Sequence, residues 1–374
     1  MRTYKFRIYP NKEQQSKLWR HANKLNWLYN HFLNQKIESY KAEKKNLKRF
    51  DLQAQLPTLK FNDSDIKEIH SQVLQGVCKR LDQSYKDFFK RGNVGFPKFR
   101  SCKNFYGICY PQSGYSLTEK IFKTKVYGSI PFKKHRNING NIKLIHITTK
   151  NDNWFICVTT DFEEQKLNGK SEIGIDIGLK DLVVTSNGEH IKNSRHAKYF
   201  DKQISKIQSR ADKKKKGSRS WKFLTKVKQR LYDAKVRKTS DFQHKVSKRL
   251  SSKYDTIYAE SLNSKAMSEG KWRNLNKAVR NAKLATFLNY LSYKTNNLIL
   301  VNPYNTSKTC NSCGYVHQDL KLSDRVVTCQ CGIIYDRDEN AAKNVFCLGQ
   351  AISGLDPKYS ESIQIQEALT FRCG

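Results

Sequence analysis

The sequence predicts a multidomain α+β protein. An N-terminal β-barrel is interrupted by a helical insertion, and an α/β domain follows that carries a small cysteine-stapled module near its end. Three observations predict this. A strand-like opening, Thr3 to Tyr9, is separated from a later run of short β-like segments by a long stretch of helical periodicity. The second half restarts on an apolar strand, SEIGIDIGL, and then alternates helices with strands. Two close cysteine pairs, Cys310-x2-Cys313 and Cys329-x-Cys331, fall between the last apolar strand and a final helix.

Taken in order, Tyr4, Phe6 and Ile8 alternate with Lys5, Arg7 and Tyr9, which makes a strand ended by Pro10. Asn11 then has the character of an N-cap, and Leu18, Ala22, Leu25, Leu28, Phe32 and Leu33 recur at helical spacing. A Lys-rich stretch at 41–49 divides this helix from the next. A second long helix is expected over Ser64 to Lys90, with Gln72, Gln75 and Lys79 on its polar side. After a turn at Gly92 to Pro97, the runs FYGICY, SLTEKIFK, GSIPF, NIKLIHITT and NWFICVTT read as strands of a small barrel to about residue 165. The polar linker EEQKLNGK closes the first half. The domains expected are a barrel over 1–10 and 92–165, helices over 11–91, an α/β domain over 170–305 and 333–348, a cysteine module over 306–332, and a tail over 349–374.

In the second half, SEIGIDIGLKDLVVTSNGEHIKN gives two or three strands, and a helical pattern over 201–238 breaks at Lys216-Gly217-Ser218. That segment holds 15 Lys and Arg against 3 acids, with Trp221, Phe223 and Tyr232 interspersed, and is expected to touch phosphate backbone. A strand YDTIYAESL, one helix over Asn274 to Asn297 and a strand NLILVNP follow.

The charge balance narrows the class of partner. Seventy Lys and Arg stand against 33 Asp and Glu, a formal charge of +37. An excess of that size opposes compaction unless a polyanion accompanies the chain, so a nucleic acid is expected. The basic residues run through the whole chain, which argues against a membrane-surface tail. No apolar run nears the roughly 20 residues that span a bilayer, and MRTYKFRIYP lacks a signal-peptide core, so the sequence reads as cytoplasmic. In that reducing compartment the six cysteines outside the two pairs, Cys78, Cys102, Cys109, Cys157, Cys347 and Cys373, are expected as thiols.

Three acids stand out. Asp176 lies within EIGIDIGL, where Ile173, Ile175 and Ile177 take the core side and Gly174, Asp176 and Gly178 the other; the glycines are expected to clear space for an ion and a phosphate. Glu260 ends the strand Thr256 to Ala259. In the final helix, Asp338 shares a stripe with Ala341, Ala342 and Val345, whereas Asp336 suits an N-cap and Glu339 an i,i+4 pair with Lys343. Hard divalent cations take carboxylate oxygens, so Asp176, Glu260 and Asp338 are the candidate ligands of Mg²⁺ or Mn²⁺. The nine histidines show no HExxH spacing, and GxSxG and GxxxxGK[ST] are absent. Cys310, Cys313, Cys329 and Cys331, each pair followed by glycine, suit a structural Zn²⁺. Because the second pair is CxC, His317 is an alternative ligand.

With these residues in place, the second half resembles the RuvC-type, RNase H-like nuclease domain of TnpB proteins, the transposon-encoded relatives of type V CRISPR effectors. The resemblance rests on GIDIGLKDLVV, the strand ending in AES, TSKTCNSCG and CGIIYDRDENAAKN, over about 170–347, with GFPKFR agreeing less specifically. It implies an RNase H-like α/β domain with an inserted zinc ribbon, and catalysis by Asp176, Glu260 and Asp338. It further implies a guide RNA from the same element, double-stranded target DNA opened into an RNA–DNA heteroduplex, recognition of a short flanking motif and Mg²⁺-dependent cleavage. A monomer bound to RNA, working at the prokaryotic nucleoid, is expected. Gln72, Gln75 and Lys79 are candidates for nucleic-acid contact, since a Gln amide pairs with adenine. The alternatives are a catalytically silent RNA-guided repressor and a guide-independent nuclease or transposase.

Overall fold

The computed structural model describes the chain except residues 91–93, 164–165, 168, 195, 263–272, 322–323 and 355–374. Part of the expected turn at Gly92, part of the linker and most of the expected tail therefore lie outside the described residues. The chain separates into two compact units, Met1–Glu164 and Gln165–Gly374.

The first unit is built on a seven-stranded antiparallel sheet. Its strands are β1 (Arg2–Ile8), β2 (Ile108–Tyr110), β3 (Tyr115–Leu117), β4 (Ile121–Thr124), β5 (Gly128–Lys133), β6 (Ile142–Lys150) and β7 (Asn153–Thr160), in the order β2-β6-β7-β1-β5-β4-β3. The first strand is thus central. Arg2 to Ile8 pairs with Thr160 to Trp154, and Ile8 also pairs with Phe132. The alternation read from the sequence explains why: Tyr4, Phe6 and Ile8 are all buried. The edge strands β2 and β3 curl toward each other, and Tyr110 meets Tyr115 edge-on at 6.3 Å. SLTEKIFK is not one strand: Thr118 bonds the Ile121 carbonyl and amide and turns it into the β3–β4 hairpin.

Helices α1 (Lys12–Glu43), α2 (Arg49–Ala54), α3 (Leu56–Asn62), α4 (Ser64–Glu68) and α5 (Ser71–Lys90) lie between β1 and β2. Asn11 caps α1 in a reciprocal box with Gln14, and Lys44 closes it in a left-handed conformation. The single helix expected over Ser64 to Lys90 is two. Ile69 adopts an extended backbone and buries its side chain, which ends α4 before α5 starts.

The second unit holds a five-stranded mixed sheet, β10-β9-β8-β11-β12, from β8 (Ser171–Asp176), β9 (Asp181–Thr185), β10 (His190–Lys192), β11 (Tyr254–Glu260) and β12 (Asn297–Val301). The first three strands run antiparallel, and β8–β11 and β11–β12 are parallel. Helices α6 (His196–Asp212) and α7 (Arg219–Lys253) break where expected, with Ser218 capping α7. The single helix expected over Asn274 to Asn297 is α8 (Arg273–Ala282) and α9 (Leu284–Ser292), parted by Lys283 at φ 50°. A small hairpin, β13 (Val326–Thr328) and β14 (Ile334–Asp336), leads into α10 (Arg337–Ser353). That helix continues past Gly349, where a tail was expected.

The sheet has two apolar faces. Ile173, Ile175, Ile257 and Ala259 pack with α7, α8 and α9 residues such as Leu250, Ala282 and Phe287. On the other face Tyr258 and Val301 meet Val345 and Leu348 of α10. Glycines on both partners set that contact. A Cβ on Gly174 would fall 2.4 Å from the Ala342 carbonyl oxygen, and one on Gly349 would fall 2.0 Å from the Tyr258 ring. Gly174 therefore makes room for α10, not for a ligand.

Candidate metal and nuclease site

Asp176 is the last residue of β8 and Glu260 the last of β11. The two strands are parallel with Ile175 opposite Ala259, so the next step places the two acids side by side at the strand ends. Asp338 arrives from the first turn of α10, whose Asp336 side chain caps the amides of Asp338 and Glu339. Asp336 thus serves the backbone, and Ala341, Ala342 and Val345 are buried. Glu339 does not pair with Lys343. It meets His190 Nε2 at 3.0 Å, and His190 Nδ1 lies 3.3 Å from Asp181.

The electrostatics tie the three acids together. Burial first, then the charges of Glu260 and Asp338, push Asp176 up to about 7, with Arg337 opposing. Burial also raises Glu260, opposed by the Thr306 hydroxyl donating to Oε1. Asp338 is held by Arg325, whose Nη1 lies 2.8 and 2.5 Å from its two oxygens. The acids are not drawn to one point. Among the described residues, the four cysteines are the group whose potential ligand atoms all lie within 4.8 Å of one another. Still, Asp176, whose proton affinity the charges of Glu260 and Asp338 raise, and the two acids beside it are oxygen donors that suit a hard divalent cation.

The cysteine cluster fits its ion closely. Cys310 and Cys331 sulfurs are 4.0 Å apart, and Cys313 and Cys329 sulfurs 3.5 Å. Tetrahedral zinc with Zn–S bonds of about 2.3 Å needs S–S edges near 3.8 Å, whereas a disulfide needs about 2.05 Å. The CxC spacing is no obstacle, because Gly314 and Gly332 both take positive φ and tighten the turns. The Ile333 amide pulls Cys331 down to about 7, toward the thiolate. His317 is not part of the cluster; its ring packs edge-on against Tyr315 and Tyr335. Cys78, Cys102, Cys109 and Cys157 are free thiols, but Cys347 is disulfide-bonded, against expectation.

The remaining candidates are more dispersed. Gln72 Oε1 accepts from the Ser113 amide and hydroxyl, which tethers it, while Gln75 and Lys79 are exposed on α5. On α7, Phe223 and Tyr232 are exposed among the lysines. Lys235 is an exception: it is buried against Asp201 and Asn281 and acts as a structural cation. No helix among the described residues is long and apolar enough to cross a membrane.

Arg325 and Thr306 escaped the sequence reading. Arg325 could have been found from the hairpin: Val326 pairs with Asp336, so the preceding residue sits opposite Arg337, one step from Asp338. Thr306 stands in TSKTC beside the cysteines and carries no signal of its own.

Three family models match the chain: a probable transposase over residues 155–271, a Cas12f1-like TNB domain over 282–345 and a helix-turn-helix domain over 1–45. The last of these covers β1 and the single long helix α1. Two relatives named "Putative RNA-guided DNA endonuclease" align along nearly the whole chain. The one from Streptomyces pristinaespiralis is 26% identical over 379 residues, covering 96% of this chain and 93% of the relative. InsQ of Escherichia coli (strain K12) is 25% identical, covering 94% and 93%. TnpB-like protein L79 of Acanthamoeba polyphaga mimivirus is 33% identical over 200 residues, 48% of this chain and 38% of the relative. Among solved structures, the mini-RNA-guided endonuclease CRISPR-Cas_phi3 aligns at 12% identity and a TM-score of 0.48, covering 92% of this chain and 91% of its own. A Cas12f1–sgRNA–target DNA complex aligns at 19% identity and a TM-score of 0.33, covering 92% and 98%.

Proposed function

Because the chain belongs to the TnpB family, we propose that it is an RNA-guided DNA endonuclease of a transposable element. Its two near-full-length relatives carry that activity in their names. The observation that carries the reading is the meeting of Asp176 and Glu260 at the ends of parallel β8 and β11, with Asp338 brought alongside by α10. The order β10-β9-β8-β11-β12, three antiparallel strands and then two parallel ones, supports an RNase H-like nuclease core.

Asp176, Glu260 and Asp338 would hold Mg²⁺ or Mn²⁺, which supplies an activated water and stabilises the leaving oxygen of a phosphodiester. The chain's own residues position and balance charge. Thr306 fixes Glu260, and Arg325 fixes Asp338 while its half-exposed guanidinium faces outward, available to a strand phosphate. Cys310, Cys313, Cys329 and Cys331 would hold structural zinc, and the ribbon they shape carries Arg325. Guide–target pairing supplies sequence specificity, and the protein reads a short flanking motif and heteroduplex shape. In this reading the residues 1–164, with Gln72, Gln75 and Lys79, contact that motif and the RNA, and one chain works with one RNA at the nucleoid.

The test has two parts. RNA that copurifies with the chain is sequenced and should map beside the gene. Asp176→Ala should abolish cleavage of matched DNA while leaving its binding intact. An RNA-free protein that cuts efficiently, or cutting by the variant, refutes the proposal.

A further inference from the structure

Two asparagines of the motif DENAAKN have so far been given no role. Asn340 and Asn344 stand one turn apart on one face of α10, and both are buried. Asparagine is a weak helix former, and its amide is costly to bury unless its polar atoms find partners. Here they do, and all the partners lie in one stretch, Thr306 to Asn311. Asn344 Nδ2 donates to the Thr306 carbonyl at 2.8 Å and to the Thr309 carbonyl at 2.7 Å, and its Oδ1 accepts from Asn311 Nδ2 at 3.0 Å. Asn340 Nδ2 donates to the Thr309 carbonyl at 2.6 Å, and its Oδ1 accepts from the Asn311 amide at 2.9 Å.

That stretch runs from the acids to the cysteine cluster. At one end the Thr306 hydroxyl donates to Glu260, and at the other Cys310 is one of the four sulfur ligands. The hydroxyl has one proton and two acceptors within reach, Glu260 Oε1 and the Pro303 carbonyl, the latter at 3.1 Å. Which of them it serves depends on where the Thr306 backbone is held, and Asn344 grips that backbone by its carbonyl. A donated hydrogen bond keeps a carboxylate in one orientation, as the outer partners of metal ligands do. One helix therefore carries Asp338 itself and sets Glu260 through the loop it clasps.

We propose that Asn340 and Asn344 are positioning residues of the carboxylate site: they fix the Thr306–Asn311 stretch so that the Thr306 hydroxyl stays on Glu260 and holds that acid ready as a cation ligand. The proposal rests on the reading of Asp176, Glu260 and Asp338 as a divalent-cation site. It is read out by binding of the ion and needs no cleavage.

The experiment measures Mn²⁺ affinity from the electron paramagnetic resonance of the free ion, on the full chain freed of nucleic acid at high salt. Asn344→Ala should weaken Mn²⁺ binding about tenfold, and so should Thr306→Val, which keeps the side chain's shape and removes the hydroxyl. The double variant should bind no more weakly than Thr306→Val alone, because Asn344 acts through that hydroxyl. In a Thr306→Ser background, which keeps the hydroxyl, Asn344→Ala should again weaken binding. An asparagine that serves only folding would weaken it by the same factor in all three backgrounds. Unchanged affinity in Asn344→Ala, or an equal loss in the wild-type and Thr306→Val backgrounds, would overturn the positioning role alone. Mn²⁺ binding that survives Asp176→Ala would overturn the carboxylate reading, and this proposal with it. If Asn344→Ala fails to fold, Asn340→Ala, which leaves both Asn344 donor contacts in place, decides by the same cycle with an expected loss of about threefold.

Discussion

Arg325 and Asp338 are joined by a single guanidinium nitrogen that lies 2.8 and 2.5 Å from the two carboxylate oxygens. One partner belongs to the cysteine ribbon and the other to α10, so the ribbon reaches into the acid cluster. If the arginine serves a strand phosphate as well as Asp338, Arg325→Ala should slow single-turnover DNA cleavage by about 10²-fold, in the range for losing one oriented donor. Arg325→Lys should recover part of that rate. Wild-type cleavage by Arg325→Ala would show that the contact is only structural.

The ribbon makes a second prediction through its metal. Elemental analysis of purified protein should find one zinc per chain. Cys313→Ser should lose it and, because the ribbon carries Arg325 and starts at Thr306, should reduce cleavage at least about tenfold. Protein without zinc that cuts at the normal rate would separate the ribbon from the site.

Packing between β8 and α10 is the third. Gly174→Val would drive a branched side chain into the Ala342 carbonyl and Phe346. The expected cost is about 3 kcal/mol, the upper end for overpacking. A melting curve should show it, and cleavage should fall because Asp338 rides on the displaced helix. A variant with unchanged melting temperature would contradict the contact.

His190 gives a pH dependence. Burial pulls its pKa down, but hydrogen bonds to Glu339 and Asp181 outweigh that and leave it above the ordinary value. A raised folded-state pKa means that the stabilisation is fully present below about 6.5 and is lost as pH rises through the folded-state value. Melting temperatures from pH 5 to 9 should therefore fall more steeply for wild type than for His190→Gln. Parallel profiles would remove His190 from the anchoring of α10.

Local chemistry was well legible in the sequence. The Asn11–Gln14 box, the Ser218 cap, and the separation of Asp336 from Asp338 all follow from side chains within one helical turn, where spacing determines direction. Breaks made by single backbone conformations were not. Ile69 and Lys283 carry ordinary helical residues in non-helical geometry, imposed by what each must bury or connect. Contacts between distant segments were the least legible. Gly174 looked like a ligand cradle because no periodicity announces a helix arriving from 168 residues later, at Ala342. Arg325 was missed for the same reason.

The three acids also come from well-separated points in synthesis: β8, then β11, and last α10, beyond the ribbon. A ribosome that has made the basic helices and both strands has not yet made the third carboxylate. The Gly174–Ala342 contact is what admits that last helix to the sheet. If the three acids act together as proposed, the emerging polypeptide has no complete metal site until α10 docks.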